Sequence, residues 1–333
     1  MATIFDVAKK ANVSVITVSR LLNNPKIVSK GTSEKIFRAM EDLNFQPSQI
    51  ARSLVKKQTN AIGVIMPDIK NTFFNNWFRI IEDYAGKHGF NLLLCNTDED
   101  PAKEMKYIKL LQSQRVDGLI IIPCVVKSVD YLLKGNTPFI LVDRILREQK
   151  ANYVSADHYA GAYNTAEYLI KLGHKRIAIL KGSGVLFPDI MRYNGFADAM
   201  KDNDIKIEEK YILDCKFNEM KAYISTLNLF KLKLRPTAIF TFNSKMMNGS
   251  IRAIQRLGLR IPDDISLVCF DQIAGYEIFK PKITCVVQPI KALGLDSITA
   301  LIDIIKKNHP ASGKVEKVLK PKLIIGNSCK EIL

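Results

Sequence analysis

The sequence predicts an α/β protein: a small N-terminal helix-turn-helix headpiece and then a core of two doubly wound α/β subdomains. The first 60 residues show short segments of helical period, whereas β-rich apolar runs alternate with amphipathic helical stretches from there onward. A chain of 333 residues is also long for one compact core. Strand alternating with helix predicts parallel sheets, and the number of elements exceeds one small sheet.

Three short helices are predicted in the first 60 residues. Thr3 has the spacing of a capping box with the acid three residues later, which starts a first helix. Asn12 stands where this helix must turn, and asparagine tolerates the left-handed backbone that such turns need. Ser14 then caps a second helix over about 15–22, and a third helix begins near Thr32. Helices this short with a tight turn between the first two indicate a helix-turn-helix unit.

The second helix has an unusual outward face, which carries Val15, Ile16, Ser19 and Arg20. Exposed β-branched residues at a helix start suit contact with thymine methyl groups in a DNA major groove, and arginine suits the bidentate pair with guanine. Residues 1–60 hold ten basic and four acidic side chains, which leaves +6, and the whole chain carries +16. This charge favours an anionic partner such as DNA.

Composition argues against several other classes of protein. The six cysteines are scattered without C-x-x-C spacing, which favours buried free thiols in a reducing cytosol. The four histidines share no metal-ligand spacing, so neither a metal site nor a cofactor is expected. The N-terminus lacks an apolar signal segment, and no apolar run reaches the roughly 18 residues that span a bilayer. We therefore expect a cytoplasmic protein with no membrane partner.

Polar residues follow several predicted strands of the core. They are Asp68 after 62–66, Asp143 and Arg144 after 139–142, Asn243 after 237–242, and Asp271 after 265–270. Ligands of open α/β sheets bind outside the carboxyl ends of the strands. Carboxylates and a guanidinium such as Arg192 can hold vicinal hydroxyls or an acid group by paired hydrogen bonds. Phe73, Phe74 and Phe217 would supply an apolar face for a sugar ring.

A series of motifs runs in order along nearly the whole chain. It begins with TIFDVAKKANVSVITVSRLLNN and continues through VSKGTSEKI, LNFQPSQIARSL, TNAIGVIMPDIKNTFF, LVDR, LGHKRIAIL, RYNGF, RPTAIFTFN, LRIPDDISLVCFD and ITCVVQPI. Together these motifs resemble the LacI/GalR family of bacterial regulators. The resemblance implies a headpiece over 1–46, a hinge helix and linker over 47–58, and a periplasmic-binding-protein-like core over 59–333. The core would divide into an N-subdomain of about 59–158 and 288–321 and a C-subdomain of about 159–287 and 322–333.

The resemblance also implies roles for particular residues. Ala51 and Leu54 match the hinge residues that enter the minor groove, where an apolar wedge kinks the duplex. The predicted phosphate contacts are Thr3, Ser14, Thr17 and Lys56. Positions that contact the effector in the family are matched by Asp143, Arg192, Asn243 and Asp271, with Phe73 and Phe74 in the aromatic segment at the cleft. Ser244 and Gln272 depart from the family pattern beside the pocket, so no specific sugar is carried over.

The function implied is control of transcription by a homodimeric repressor on a pseudo-palindromic operator. Its operator affinity would be set by a small effector, a sugar or sugar derivative. Two other readings remain open at this point. A solute-binding protein shares the core fold but needs export. A nucleotide-dependent enzyme would use Gly182 and Gly184 as the start of a G-x-G-x-x-G loop, although Phe187 occupies the third glycine position.

Overall fold

The computed structural model describes residues 2–23, 27–45, 58–145, 151–182, 184–272, 280–306 and 315–332. The chain divides into two compact units, residues 1–60 and residues 61–333. The predicted hinge residues Ala51 and Leu54 and the predicted phosphate contact Lys56 lie outside the described residues.

The N-terminal unit consists of helices α1 (Ile4–Ala11), α2 (Val15–Asn23) and α3 (Lys30–Asp42). The capping box predicted at Thr3 is confirmed, because the Thr3 and Asp6 side chains each accept a hydrogen bond from the other residue's backbone N–H. Asn12 is left-handed, with φ of 51°. The third helix begins earlier than predicted, at Lys30, because Ser29 rather than a residue nearer Thr32 is its N-cap. Val7, Val18 and Ile36 are fully buried where the helices meet.

The first sheet of the large unit is entirely parallel, in the order β2-β1-β3-β4-β5-β11. Its strands are β1 (Ala61–Met66), β2 (Asn91–Asn96), β3 (Gly118–Ile121), β4 (Phe139–Val142), β5 (Tyr153–Ala156) and β11 (Glu316–Leu319). The helices that belong with it are α4 (Thr72–Lys87), α5 (Pro101–Ser113), α6 (Val126–Leu133) and α11 (Ile290–Lys306). Apolar clusters cover both of its faces, as a parallel sheet requires.

The second sheet has the order β7-β6-β8-β9-β10-β12, and only β12 runs antiparallel to its neighbour. Its strands are β6 (Ile177–Lys181), β7 (Ile212–Asp214), β8 (Ala238–Thr241), β9 (Ser266–Phe270), β10 (Thr284–Val287) and β12 (Lys322–Ile324). Its helices are α7 (His158–Lys171), α8 (Phe187–Asp202), α9 (Glu219–Leu229) and α10 (Ser244–Arg256), with a 3-10 turn at Glu209–Tyr211.

The chain crosses between the sheets three times: from β5 to α7, from β10 to α11, and from β11 to β12. We call the part built on the first sheet the N-subdomain and the part built on the second the C-subdomain. The strand order in both makes the gap beside β1 and β6 a topological switch point, where open α/β sheets bind ligands at the carboxyl ends of their strands. Within the described ranges, no helix has the length and apolar character needed to cross a bilayer.

Candidate functional site

The carboxyl ends of the strands carry a set of buried polar residues. Asp143 directly follows β4 and Asp271 directly follows β9, with φ of 64° and 82°. Aspartate is among the few residues that adopt this left-handed backbone. Asn243 follows β8 and caps α10, where its side chain accepts the N–H of Met246 at 2.9 Å. These turns bring polar side chains from both sheets to one cavity.

The cavity has a volume of about 330 Å³ and is lined by residues of both subdomains. All seven residues predicted to bind the effector line it: Phe73, Phe74, Asp143, Arg192, Phe217, Asn243 and Asp271. The lining also includes Asp68 and Arg144, which the sequence placed at strand ends. Residues that the sequence did not single out for it include Glu99, Cys124, Lys216, Lys245 and Gln288. Trp77, one turn beyond Phe73, lies instead in the apolar core.

Arg192 is the central cation of the cavity and is only 4% exposed. Its guanidinium carbon lies 3.7 Å from the centre of the Phe270 ring, a cation–π geometry. Nη1 donates to the carbonyl of Phe242, and Nη2 lies 3.3 Å from Nδ1 of His158. Nε has no hydrogen-bond partner among the described residues. Arg192 is therefore fixed by protein groups while one donor stays available.

His158 joins the two subdomains and was missed by sequence reasoning, which weighed histidines only as metal ligands. It is the first residue of α7, and its Nε2 lies 3.2 Å from Oδ1 of Asp143. A guanidinium can only donate, so Nδ1 must accept from Arg192 and the proton sits on Nε2, facing Asp143. The described residues contain no cluster of metal-binding side chains. The imidazole is thus a bridge between two residues of the cavity.

The two buried carboxylates differ in their pKa values. Burial raises the pKa of Asp143, but the contact with His158 and the charges of Arg192 and Arg144 hold this pKa below its ordinary value. Burial also raises the pKa of Asp271, and there the attraction of Arg192 and the hydrogen bond from Gln288 offset only part of the rise. The surroundings of Asp143 therefore favour its ionised form. Those of Asp271 disfavour its ionised form.

We expect Asp271→Asn to raise the melting temperature at neutral pH. Asp271 has a raised pKa in the folded state, so the wild-type protein gains stability relative to the variant as the pH falls through that pKa. The difference in thermal unfolding should therefore shrink in mild acid. Asp98→Asn is the opposite control, since hydrogen bonds from Lys103 and Asn96 lower the pKa of Asp98 and its loss should destabilise at neutral pH. A lower melting temperature for Asp271→Asn at neutral pH would contradict this account.

The glycines after β6 do not form a phosphate cradle. The N–H groups of Gly182 and Gly184 donate to the carboxylate of Asp189, at 2.6 Å and 2.5 Å. Burial raises the pKa of Asp189, although these N–H groups lower it. A Cβ at position 182 would lie 2.3 Å from the Phe217 ring. The small residue at 182 therefore makes room for an aromatic side chain, and the N–H groups are engaged by a carboxylate instead of a phosphate.

The headpiece presents the second helix only partly as predicted. Ile16 is 64% exposed, and Arg20 is exposed in the last turn of α2. Val15 differs: it is half-buried and packs against the core of the headpiece, because it faces the side of α2 that meets the other helices. The prediction of two exposed β-branched residues was wrong for Val15. Ser14 and Thr17 join through their hydroxyls at 2.8 Å at the start of α2.

Two family models match the chain and together cover both of its units. The first, described as bacterial regulatory proteins of the lacI family, matches residues 3–48. The second, described as periplasmic binding proteins and the sugar binding domain of the LacI family, matches residues 59–322. The chain belongs to the LacI family. It is a DNA-binding transcription regulator with a helix-turn-helix headpiece and a periplasmic-binding-protein-like core.

Curated relatives match this LacI-family chain along its whole length. The ribose operon repressor of Halalkalibacterium halodurans is 35% identical over 99% of the chain and 98% of its own length. A protein of Vibrio vulnificus named HTH-type transcriptional repressor PurR is 33% identical over 100% of both chains. These relatives are transcription regulators and not enzymes.

Solved structures of the family share the fold. The lac repressor dimer bound to operator and the anti-inducer ONPF has a TM-score of 0.88 at 26% identity, with 99% of each chain covered. A LacI family transcriptional regulator from Enterococcus faecium with bound ribose has a TM-score of 0.74 at 30% identity. That comparison covers 82% of this chain and 100% of the other.

Proposed function

We propose that this LacI-family regulator represses transcription as a homodimer on pseudo-palindromic operator DNA, and that a small effector in the core cavity sets its affinity. One helix-turn-helix unit reads only a few base pairs, and a two-fold dimer doubles the contact. Support comes from the operator-bound dimer of the similar lac repressor. The curated relatives are transcription regulators, which supports a role in transcription and not in catalysis. Membership of the LacI family supports a location in the cytoplasm.

Within the headpiece, we assign base reading to Val15, Ile16, Ser19 and Arg20. Exposure of the Ile16 and Arg20 side chains supports this assignment. Val15 is half-buried, so only part of its side chain is accessible to DNA. We assign phosphate contact to three hydroxyls at helix starts, Thr3, Ser14 and Thr17, and to Lys56. Helix N-termini favour phosphate because their first N–H groups and the helix dipole point outward.

The effector is a sugar or sugar derivative. The observation that carries this assignment is a pair of buried polar atoms, on residues that line the cavity, without a hydrogen-bond partner among the described residues: Nε of Arg192 and Oε1 of Gln288. The first of these atoms donates and the second accepts, and a hydroxyl can do either. A ligand rich in hydroxyls would therefore satisfy both, while Phe73, Phe74 and Phe217 cover an apolar ring face.

Charge balance in the cavity favours an uncharged ligand. Its described lining residues include four acids and four bases, namely Asp68, Glu99, Asp143 and Asp271 with Arg144, Arg192, Lys216 and Lys245. The volume of about 330 Å³ lies at the small end of ligand pockets. The ribose operon repressor and the ribose-bound regulator among the similar proteins make ribose a first candidate to test.

We expect the sugar to weaken operator binding. Closing the cavity around a ligand turns one subdomain against the other, and this movement would change the spacing of the two hinge segments in a dimer. A coupling of about 1–3 kcal/mol corresponds to a roughly 5- to 150-fold change, and operator DNA must weaken sugar binding by the same factor.

The test is a titration of the purified protein with a panel of sugars and purines, with and without operator. A sugar that binds and lowers operator affinity is the expected result. Tighter operator binding in the presence of the sugar would contradict the predicted direction of the effect and make the sugar a corepressor. Binding of a purine alone would contradict the ligand class.

A further inference from the structure

An ion pair spans the cavity between the two subdomains. Nζ of Lys245, near the start of α10 in the C-subdomain, contacts Oδ2 of Asp68, which follows β1 in the N-subdomain. The two side chains are 38% and 19% exposed, so the pair is partly withdrawn from water. Both residues line the cavity. The contact thus joins two separately built parts of the chain across the space proposed for the effector.

The Asp68 end of the ion pair is held by the N-subdomain, and Lys245 projects from a helix of the C-subdomain. The backbone N–H of Ile69 donates to Oδ1 of Asn96 at 2.7 Å, and the amide of Asn75 donates to the carbonyl of Ile69 at 2.6 Å. Oδ1 of Asp68 accepts the N–H of Lys70 at 2.9 Å, which orients the carboxylate. Lys245 is the second residue of a helix of 13 residues. A bond between an oriented carboxylate and a side chain on a helix constrains the two subdomains that carry them.

Other polar pairs of the cavity act differently. The bidentate pair of Arg144 and Glu99, at 2.7 Å and 2.6 Å, lies wholly within the N-subdomain. It lines the wall of the cavity and does not join the two subdomains. The bridge through His158 does cross between subdomains, but it starts at the crossover itself, where the chain already ties them together. Lys245 and Asp68 stand 177 residues apart, so no local chain connection duplicates their contact.

We propose that Lys245 and Asp68 form a cleft latch: a positioning pair that holds the two subdomains closed before the effector arrives. The inference rests on the proposed function only in taking this cavity as the effector site. A ligand that fits the closed cleft binds more tightly when the closed state is already populated, since apparent affinity scales with the competent fraction. Breaking the latch should therefore weaken effector binding and make the ligand-free cleft open more often.

Cys124 provides a readout that needs no effector. Its thiol lines the cavity and is buried in the closed cleft, whereas Cys269 lies deep in the C-subdomain core. In the full-length protein without ligand, alkylation of each cysteine by a maleimide can be followed by peptide mass spectrometry. We expect Lys245→Met and Asp68→Asn each to speed labelling of Cys124 by about 2- to 10-fold, with Cys269 unchanged.

Two control variants sharpen this test. Lys245→Arg keeps the charge and should label like the wild-type protein. Lys210→Met removes an ion pair with Glu208 that lies within the C-subdomain, and it should also leave Cys124 labelling unchanged. Wild-type labelling of Cys124 in both Lys245→Met and Asp68→Asn would overturn the latch. So would faster labelling in Lys210→Met, which would show a general loosening of the fold.

Effector binding gives the second arm, with ribose as the probe. Lys245→Met and Asp68→Asn should raise the dissociation constant by a similar factor, about 2- to 10-fold. A rise in Lys245→Met alone, with Cys124 protected in both variants, would overturn the latch by showing that Lys245 acts through direct contact. If labelling rises in both variants but no sugar binds to any of the proteins, the latch stands and the proposed effector class fails.

Discussion

Arg192→Ala is expected to abolish the response of operator binding to the effector, with basal operator binding within a few-fold of wild type. Arg192 is only 4% exposed, its charge acts on both Asp143 and Asp271, and its Nε has no hydrogen-bond partner among the residues that the structure describes. A hydrogen bond between a charged group such as this guanidinium and a neutral sugar hydroxyl contributes about 1.5–3 kcal/mol. Isothermal titration calorimetry with the sugar that binds the wild-type protein measures effector affinity. Gel shifts with operator, with and without that sugar, measure basal operator binding and the response.

The matched control is Arg252→Ala. Arg252 pairs with Glu219 at 2.7 Å on the surface of the same subdomain, with a side chain 54% exposed, and such pairs contribute about 1 kcal/mol or less. This variant should keep both the response and the sugar affinity. Asp271→Ala should behave as Arg192→Ala does. Unchanged sugar affinity in both Arg192→Ala and Asp271→Ala would place the effector site elsewhere.

Arg20→Ala is expected to remove base readout from the headpiece. Loss of a bidentate pair with guanine costs about 1–3 kcal/mol on the specific site and much less on random DNA. Arg20 is exposed in the last turn of α2. Competition gel shifts with operator and with random duplex of equal length measure the specificity ratio.

Lys56→Ala is the comparison for this experiment. A phosphate contact carries no sequence information, so its loss should weaken operator and random DNA alike and lower the salt dependence of both. If Arg20→Ala instead lowers the two affinities equally, α2 does not read bases through this residue.

The local structure of the headpiece was predictable because its signals lie within a few residues of one another. A capping box at Thr3 and a left-handed turn at Asn12 depend on side-chain and backbone chemistry that neighbouring residues decide. The exposure of Val15 was predicted wrongly because it depends on residues distant in the sequence. Its burial depends on how α2 packs against the other helices, and helical periodicity alone does not specify that angle.

Strands of the core were predictable when they contained a long apolar run, and not when they were short or rich in charged residues. The runs that became β1, β3, β4, β8 and β9 are buried on both faces and therefore read as continuous apolar segments. Edge strand β11 consists of two charged residues followed by two apolar residues and is largely exposed, and β12 has only three residues. Such short segments carry too little pattern to distinguish them from loops.

The sequence by itself determined the family, the two kinds of unit and the polar residues at strand ends, because motifs and strand-end chemistry are local and parallel sheets gather their carboxyl ends at one edge. Only the tertiary structure decided which side chains meet. Lys245 reaches Asp68 across 177 residues, and His158 links Arg192 to Asp143 through a tautomer set by its neighbours. Pair distances, burial and the resulting pKa shifts depend on packing between elements far apart in the chain, and one sequence carries no direct record of them.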